Sequence, residues 1–178
     1  MWIPKRALLA FSVVLASALS LALAVGAFGD RGRGHDGDGH HGRGHHSALI
    51  ESALAPSVPT DPAFHGVTPG GAPWVLRRGE VKVDDGRLDL RVRGLVIPVA
   101  PGNGTPGPVN TISASLFCGA DAEAAPAATS DQVPISRDGD ARIRDRSFDV
   151  PDTCLAPVVL VHPNGDTTRY IAVDGTRP

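Results

Sequence analysis

The residues best suited to chemistry in this chain are its histidines. His35, His40, His41, His45 and His46 fall within Gly29 to His46, a stretch of seven Gly, five His, three Arg and three Asp and nothing else. Neutral imidazole nitrogens ligate borderline divalent ions, so these side chains are a candidate ligand set for Zn, Ni or Cu. The same stretch has no apolar side chains and cannot offset its own ordering entropy, so it reads as a disordered tether. Without preformed geometry, metal affinity would be modest and selectivity poor; the competing reading is a solvated spacer. Arg and Asp cancel within the tract, which gains up to five positive charges well below pH 6.5.

His65 and His162 are the other two histidines. Neither reads as part of a Ser-His-Asp arrangement, and no Ser lies in a Gly-x-Ser-x-Gly elbow. No catalytic residue is assigned, and a hydrolase ranks last among the functional readings. Asp36-Gly-Asp38-Gly lacks the third acidic position and terminal Glu of a calcium loop. Cys118 and Cys154 are the only cysteines. In a chain bound for an oxidising compartment they read as one disulfide; paired thiolate metal ligands would need closer spacing and a neighbouring His.

Export is read from the N-terminus. Lys5 and Arg6 precede Ala7 to Val25, which carries no charge, and small residues follow. That is the layout of a secretory signal peptide, and residues 1–27 are assigned to it. The alternative is an uncleaved anchor through residues 7–25, the only route to a membrane. The formal net charge is −2, and removing Lys5 and Arg6 takes it to −4. That balance argues against a nucleic-acid partner, which wants a basic face. Arg outnumbers Lys fifteen to two and Asp outnumbers Glu sixteen to three.

The elements that must carry any site are strands. In Gly86 to Pro98, Leu88, Leu90 and Val92 alternate with Asp89, Arg91 and Arg93, the period of a strand with one face in a core and one in water. Val81 and Val83 alternate likewise, and Asp85-Gly86 between the two runs is a type I′ hairpin signal. Thr111 to Cys118 alternates again, with Cys118 on the apolar side. Val158 to Val161 is apolar on both faces. Short strands are also expected at Trp74–Arg78, at Val133–Ile135, after an Asp138-Gly139 hairpin, and over Thr167–Val173. Pro56, Pro59 and Pro62 read as extended linker, and Ser47 to Leu54 as two marginal helical turns. The whole predicts an all-β fold: one antiparallel β-sandwich, immunoglobulin-like or a small barrel, of about seven to eight strands. It spans residues 64–178, preceded by a signal helix and by a Gly/His-rich tether and Pro-rich linker over 28–63.

Gly66-Val-Thr-Pro-Gly-Gly-Ala-Pro-Trp74, Val92-Arg-Gly-Leu-Val96, the Thr111–Cys118 strand and Cys154-Leu-Ala-Pro-Val-Val-Leu-Val161 resemble a group of uncharacterised secreted actinobacterial proteins. The resemblance covers Gly66 to Gly175. It implies an exported β-domain with one disulfide and transfers no functional residue. The expected function is a secreted or cell-envelope interaction module, non-catalytic, binding a cell-envelope polymer or an extracellular protein through strand faces or loops. Weak divalent-metal binding by the His tract is the alternative. Calorimetry with Zn, Ni and Cu on the full chain and on a chain lacking Gly29–His46 separates tract from spacer: a metal-binding tract gives heat only in the former, and equal heats rule it out.

Overall fold

The computed structural model describes residues 48–121 and 125–176. The residues read as signal segment and as tether, with the five tract histidines, lie outside the described residues but for the last part of the linker. Among those described there is no helix, and the fold is all-β as expected.

The hairpin is where alternation placed it. β3 (Arg78–Asp84) and β4 (Arg87–Arg93) pair antiparallel from Arg78↔Arg93 to Asp84↔Arg87. Gly86 takes φ +72 in the turn, a conformation that glycine adopts without a Cβ penalty. Leu88, Leu90 and Val92 are at most 1 % exposed, and their neighbours Asp89 and Arg93 face water.

The N-terminal side departs from expectation. Ile50–Pro56, read as helical turns and linker, is strand β1. It lies in the middle of the sheet: Ile50 to Ala53 pair with β3, and Leu54 to Pro56 pair with β11 (Ala172–Asp174). The domain therefore begins about fourteen residues before Phe64. Ile50 and Leu54, each 6 % exposed, supply apolar area that an isolated helical turn could not bury.

The other half of the sheet centres on β5 (Thr111–Phe117) and β9 (Val158–Pro163), paired from Ile112↔Pro163 to Phe117↔Val158. Both strands are buried on both faces. β6 (Ala128–Thr129) and β7 (Val133–Pro134) pair with the far edge of β5, one residue out of register with each other. β8 (Ala141–Asp145) pairs with β4. The sheet order is β6-β5-β9-β11-β1-β3-β4-β8, with β7 on β5. The expected last strand is broken: β10 (Arg169–Tyr170) makes a short parallel pair with β2 (Thr68–Pro69) outside this sheet. The Trp74–Arg78 strand is reduced to a single bridge, Val75↔Val96.

The sheet curls so that β8 returns against β5 and β7. Asp138-Gly139 is therefore no hairpin turn, because β7 and β8 pair with different strands. It is the link between the two ends of the rolled sheet. Gly139, at φ +78, donates to Ser136 O and accepts from Leu95 N, each at 2.9 Å. A Cβ there would run into the Leu95 backbone. The main core fills the roll, with Trp74, Leu95, Ile112, Leu116, Ile143 and Phe148 among its members. A second cluster, Val67, Phe117, Leu160 and Tyr170, covers the opposite face of β5 and β9.

Cys118 and Cys154 form the expected disulfide, with Cα atoms 5.0 Å apart and a sequence separation of 36. In the chain-entropy account such a loop constraint contributes roughly 4 kcal/mol. It ties the ends of β5 and of the loop entering β9.

β1 makes the domain boundary testable. Residues 64–178 alone lack β1, so β3 keeps only β4 and β11 keeps only β9 as neighbours. Losing Ile50 and Leu54 alone costs about 2–5 kcal/mol apiece, comparable with a small domain's whole stability. Thermal melts by circular dichroism should show a cooperative transition for 48–178 and none for 64–178; matching melts would overturn this boundary.

Candidate functional site

The structure brings three groups together around His162, at the far end of β9. Ser113 and His162 are direct cross-strand partners, so their side chains share one face of the β5–β9 pair. His162 Nδ1 lies 2.7 Å from Arg169 O. A carbonyl only accepts, so Nδ1 carries the proton and Nε2 is a bare acceptor. That Nε2 and Ser113 Oγ are both buried without a hydrogen-bond partner. Asp166 lies near enough to act on the ring electrostatically, but its carboxylate is turned to Thr168, accepting from Thr168 N at 3.0 Å and Oγ1 at 2.6 Å. Those two bonds hold Asp166 below the usual carboxylate range. Burial pushes the His162 pKa down, against its bond to Arg169 and the charge of Asp166.

A serine beside a neutral histidine is the chemistry of an activated nucleophile. Here it is sealed: His162 is 0 % and Ser113 2 % exposed, and neither lines any of the hollows described below. Phe117, Leu160 and Tyr170 continue the same face, and Tyr170 Oη donates to Pro62 O at 2.7 Å to hold the covering segment down. His65 lies at the rim of that cover, stacked on Phe117 with ring centroids 4.9 Å apart and Nδ1 2.8 Å from Asp121 O. The two histidines outside the tract are thus both held by backbone carbonyls. Among the described residues no group of three or more His, Cys, Asp or Glu could hold a metal ion.

The open face is on the other half of the sheet. The outward side chains of β1, β3, β4 and β8 stand in rows. One row runs Glu51, Lys82, Asp89, Arg144; the next runs Ala53, Glu80, Arg91, Arg142; a third pairs Arg78 with Arg93. Including Asp84, Arg87 and Asp145 at the end of β8, seven cations stand against five carboxylates on these strands, in a chain whose formal net charge is −2. Asp89 is shared: Arg142 grips it with both Nε, at 3.1 Å, and Nη2, and Arg144 Nε lies 3.8 Å away. The Asp89 bond raises the Arg142 pKa further. Arg78 reaches Glu80 at 3.2 Å, and Lys82 reaches Asp84 at 3.4 Å. Among the described residues no carboxylate lies within ion-pair distance of Arg91 or Arg93.

This face is also where the surface is hollowed. Beside the short side chain of Ala53 lies a depression of about 640 Å³ rimmed by Glu51, Arg78, Glu80, Lys82 and Arg142. Another, of about 310 Å³, lies between Lys82, Arg87, Arg144 and Arg146. Smaller hollows flank Arg91 and Arg93 on both sides. Period-two reading placed Asp89, Arg91 and Arg93 on a solvated outer face, and that is where they stand. It missed the cluster with Arg78 and Arg142, because those arrive from other strands and only the register aligns them.

No family model, curated protein or solved structure matches the chain.

His162 generates a pH prediction. Its folded pKa is depressed below the ordinary 6.5, so below that pH the unfolded chain takes up a proton that the folded chain refuses. Stability is fully present above pH 6.5 and falls as pH drops toward the folded value, by at most about 1.4 kcal/mol per pH unit for one proton. Urea melts from pH 7.5 to 5 should show this decline in the parent and a flatter profile in His162→Gln; equal slopes would assign it elsewhere.

Proposed function

We propose that this domain is a non-catalytic binding module of the secreted or cell-envelope class, and that its binding surface is the outer face of β1, β3, β4 and β8. The observation that carries the reading is the surplus of cationic side chains, in register and in hollowed relief, on one sheet face of a net-negative chain. Surface potential of one sign raises the encounter rate and local concentration of a partner of the other sign. The face is open and shallow, suiting an extended polymer better than an enclosed small molecule, which wants a concave apolar pocket. The disulfide is compatible with an extracellular location.

The sealed state of Ser113 and His162 weighs against hydrolysis: a base must come within hydrogen-bond reach of a substrate proton, and no substrate reaches Nε2 through this cover. The partner class is an anionic component of the cell envelope.

Cosedimentation of the full chain with insoluble cell-wall material at pH 7.5 tests the reading. Binding should occur at low salt and weaken steeply toward 200 mM, since the attraction is between solvent-exposed charges. Reversing three charges in Arg78→Glu/Arg91→Glu/Arg93→Glu should reduce it at least about tenfold. Binding that ignores both salt and this reversal would place the surface elsewhere.

A further inference from the structure

Resting on that reading, we propose that the ligand is a base-free phosphodiester polymer, and that Arg78, Arg91, Arg93 and Arg142 form its principal phosphate subsite. The juxtaposition is specific. Arg78 stands directly opposite Arg93 on β3 and β4, and Arg91 directly opposite Arg142 on β4 and β8. Directly opposed like charges destabilise an antiparallel pair. Here two such pairs lie in adjacent rows, with Glu80 and the shared Asp89 among them and Asp140 at the edge, its carboxylate turned to Gly94 N and Arg77. Glu80 stands opposite Arg91 but is paired with Arg78, and among the described residues no carboxylate lies within ion-pair distance of Arg91 or Arg93. A fold keeps such an arrangement at a cost in stability, and an anion seated between the guanidiniums removes that cost.

The chemistry of the anion follows from the donors. Every member of the cluster is arginine. Guanidinium presents a planar fork of N–H donors that matches phosphate oxygens two at a time, whereas ammonium is a point charge. Along β4, Arg91 and Arg93 are two residues apart, about 6.8 Å at strand rise. A hollow lies on each side of them, about 120 Å³ toward Arg78 and about 270 Å³ toward Arg142. Successive phosphates of one extended chain can occupy both.

The face also says what the polymer lacks. Single-stranded nucleic acid is held by cationic grooves that carry aromatic platforms for the bases. The outward side chains of β1, β3, β4 and β8 include no Phe, Tyr or Trp. Phosphate contact without stacking points to a polyol phosphate chain rather than to DNA or RNA.

The test uses the full chain at pH 7.5 with three probes: linear poly(glycerol phosphate), polygalacturonate of similar charge density, and oligo(dT). Poly(glycerol phosphate) should bind most tightly. Arg91→Ser/Arg93→Ser should weaken it about tenfold and flatten the salt dependence by roughly 1.4 in log K per log salt, two single-strand phosphate contacts. The same variant should melt at or above the parent temperature, because it removes like-charge repulsion; a merely structural role for these arginines would lower the melt. Equal or tighter binding of polygalacturonate or oligo(dT), or unchanged binding by the variant, overturns the proposal. Cell-wall material stripped of phosphodiesters with hydrogen fluoride separates the two readings. Loss of salt-sensitive binding on stripping supports both. Retained binding that still responds to the three-charge reversal overturns the phosphodiester ligand and leaves the binding face standing.

Discussion

The structure depends on the double pairing of β1. Its first four residues are hydrogen-bonded to β3 and its last three to β11. The β3-β4-β8 half and the β5-β9-β11 half meet in sequence-distant strands, and among the described strands β1 alone is paired with both. A sheet continued in this way satisfies the backbone groups of three strands at once, where two separate sheets would leave two edges to cover. Ile50 and Leu54 on the same strand carry the seam into the core. The roll is secured in two other places: by the Ser136–Asp140 turn docked on Leu95, and by the disulfide between the β5 end and the loop before β9.

The two halves treat their outer faces differently, and that difference sets what each can do. The outer face of β5 and β9 carries Ser113, Ser115 and His162 but is closed over by Phe64, Val67 and Tyr170. Ser115 finds Thr129 at 2.8 Å, and His162 finds Arg169 O, whereas Ser113 Oγ and His162 Nε2 find nothing. Buried polar groups without partners are costly, so this face is a constraint on stability more than a place for chemistry. The outer face of β3, β4 and β8 is bare. Its charges are arranged partly to cancel, as in the row through Asp89, and partly to accumulate, as at Arg78, Arg91, Arg93 and Arg142. Exposed ion pairs contribute little to stability in water. The pattern is therefore better understood as a field presented outward than as a brace for the sheet.

β4, the β3–β4 hairpin and the β5 strand were legible because each is specified by side chains within a few residues: alternation gives the buried face, and Asp85-Gly86 gives the turn. The doubly apolar Val158–Val161 run was legible for the same reason. β1 was not. Its residues, Ile50-Glu-Ser-Ala-Leu-Ala-Pro56, alternate poorly and sit beside three prolines, and their strand conformation comes from β3 and β11. The Asp138-Gly139 turn was recognised as a turn and given the wrong partners, since turn chemistry is local and strand pairing is not. The Ser113–His162 juxtaposition connects residues 49 apart in sequence, and no spacing rule reaches across that.

By itself, then, the sequence determined the fold class, the central hairpin, the inner and outer faces of its strands, and the cysteine pairing, because periodicity, turn residues and a count of two thiols act over short range or admit one solution. Tertiary structure alone decided that residues 50–56 belong to the domain, that the serine and histidine of β5 and β9 are sealed, and that four arginines from three strands gather on one open face. Each of these is a matter of cross-strand register, set by the global packing of the rolled sheet, and register is written in no single segment of the chain.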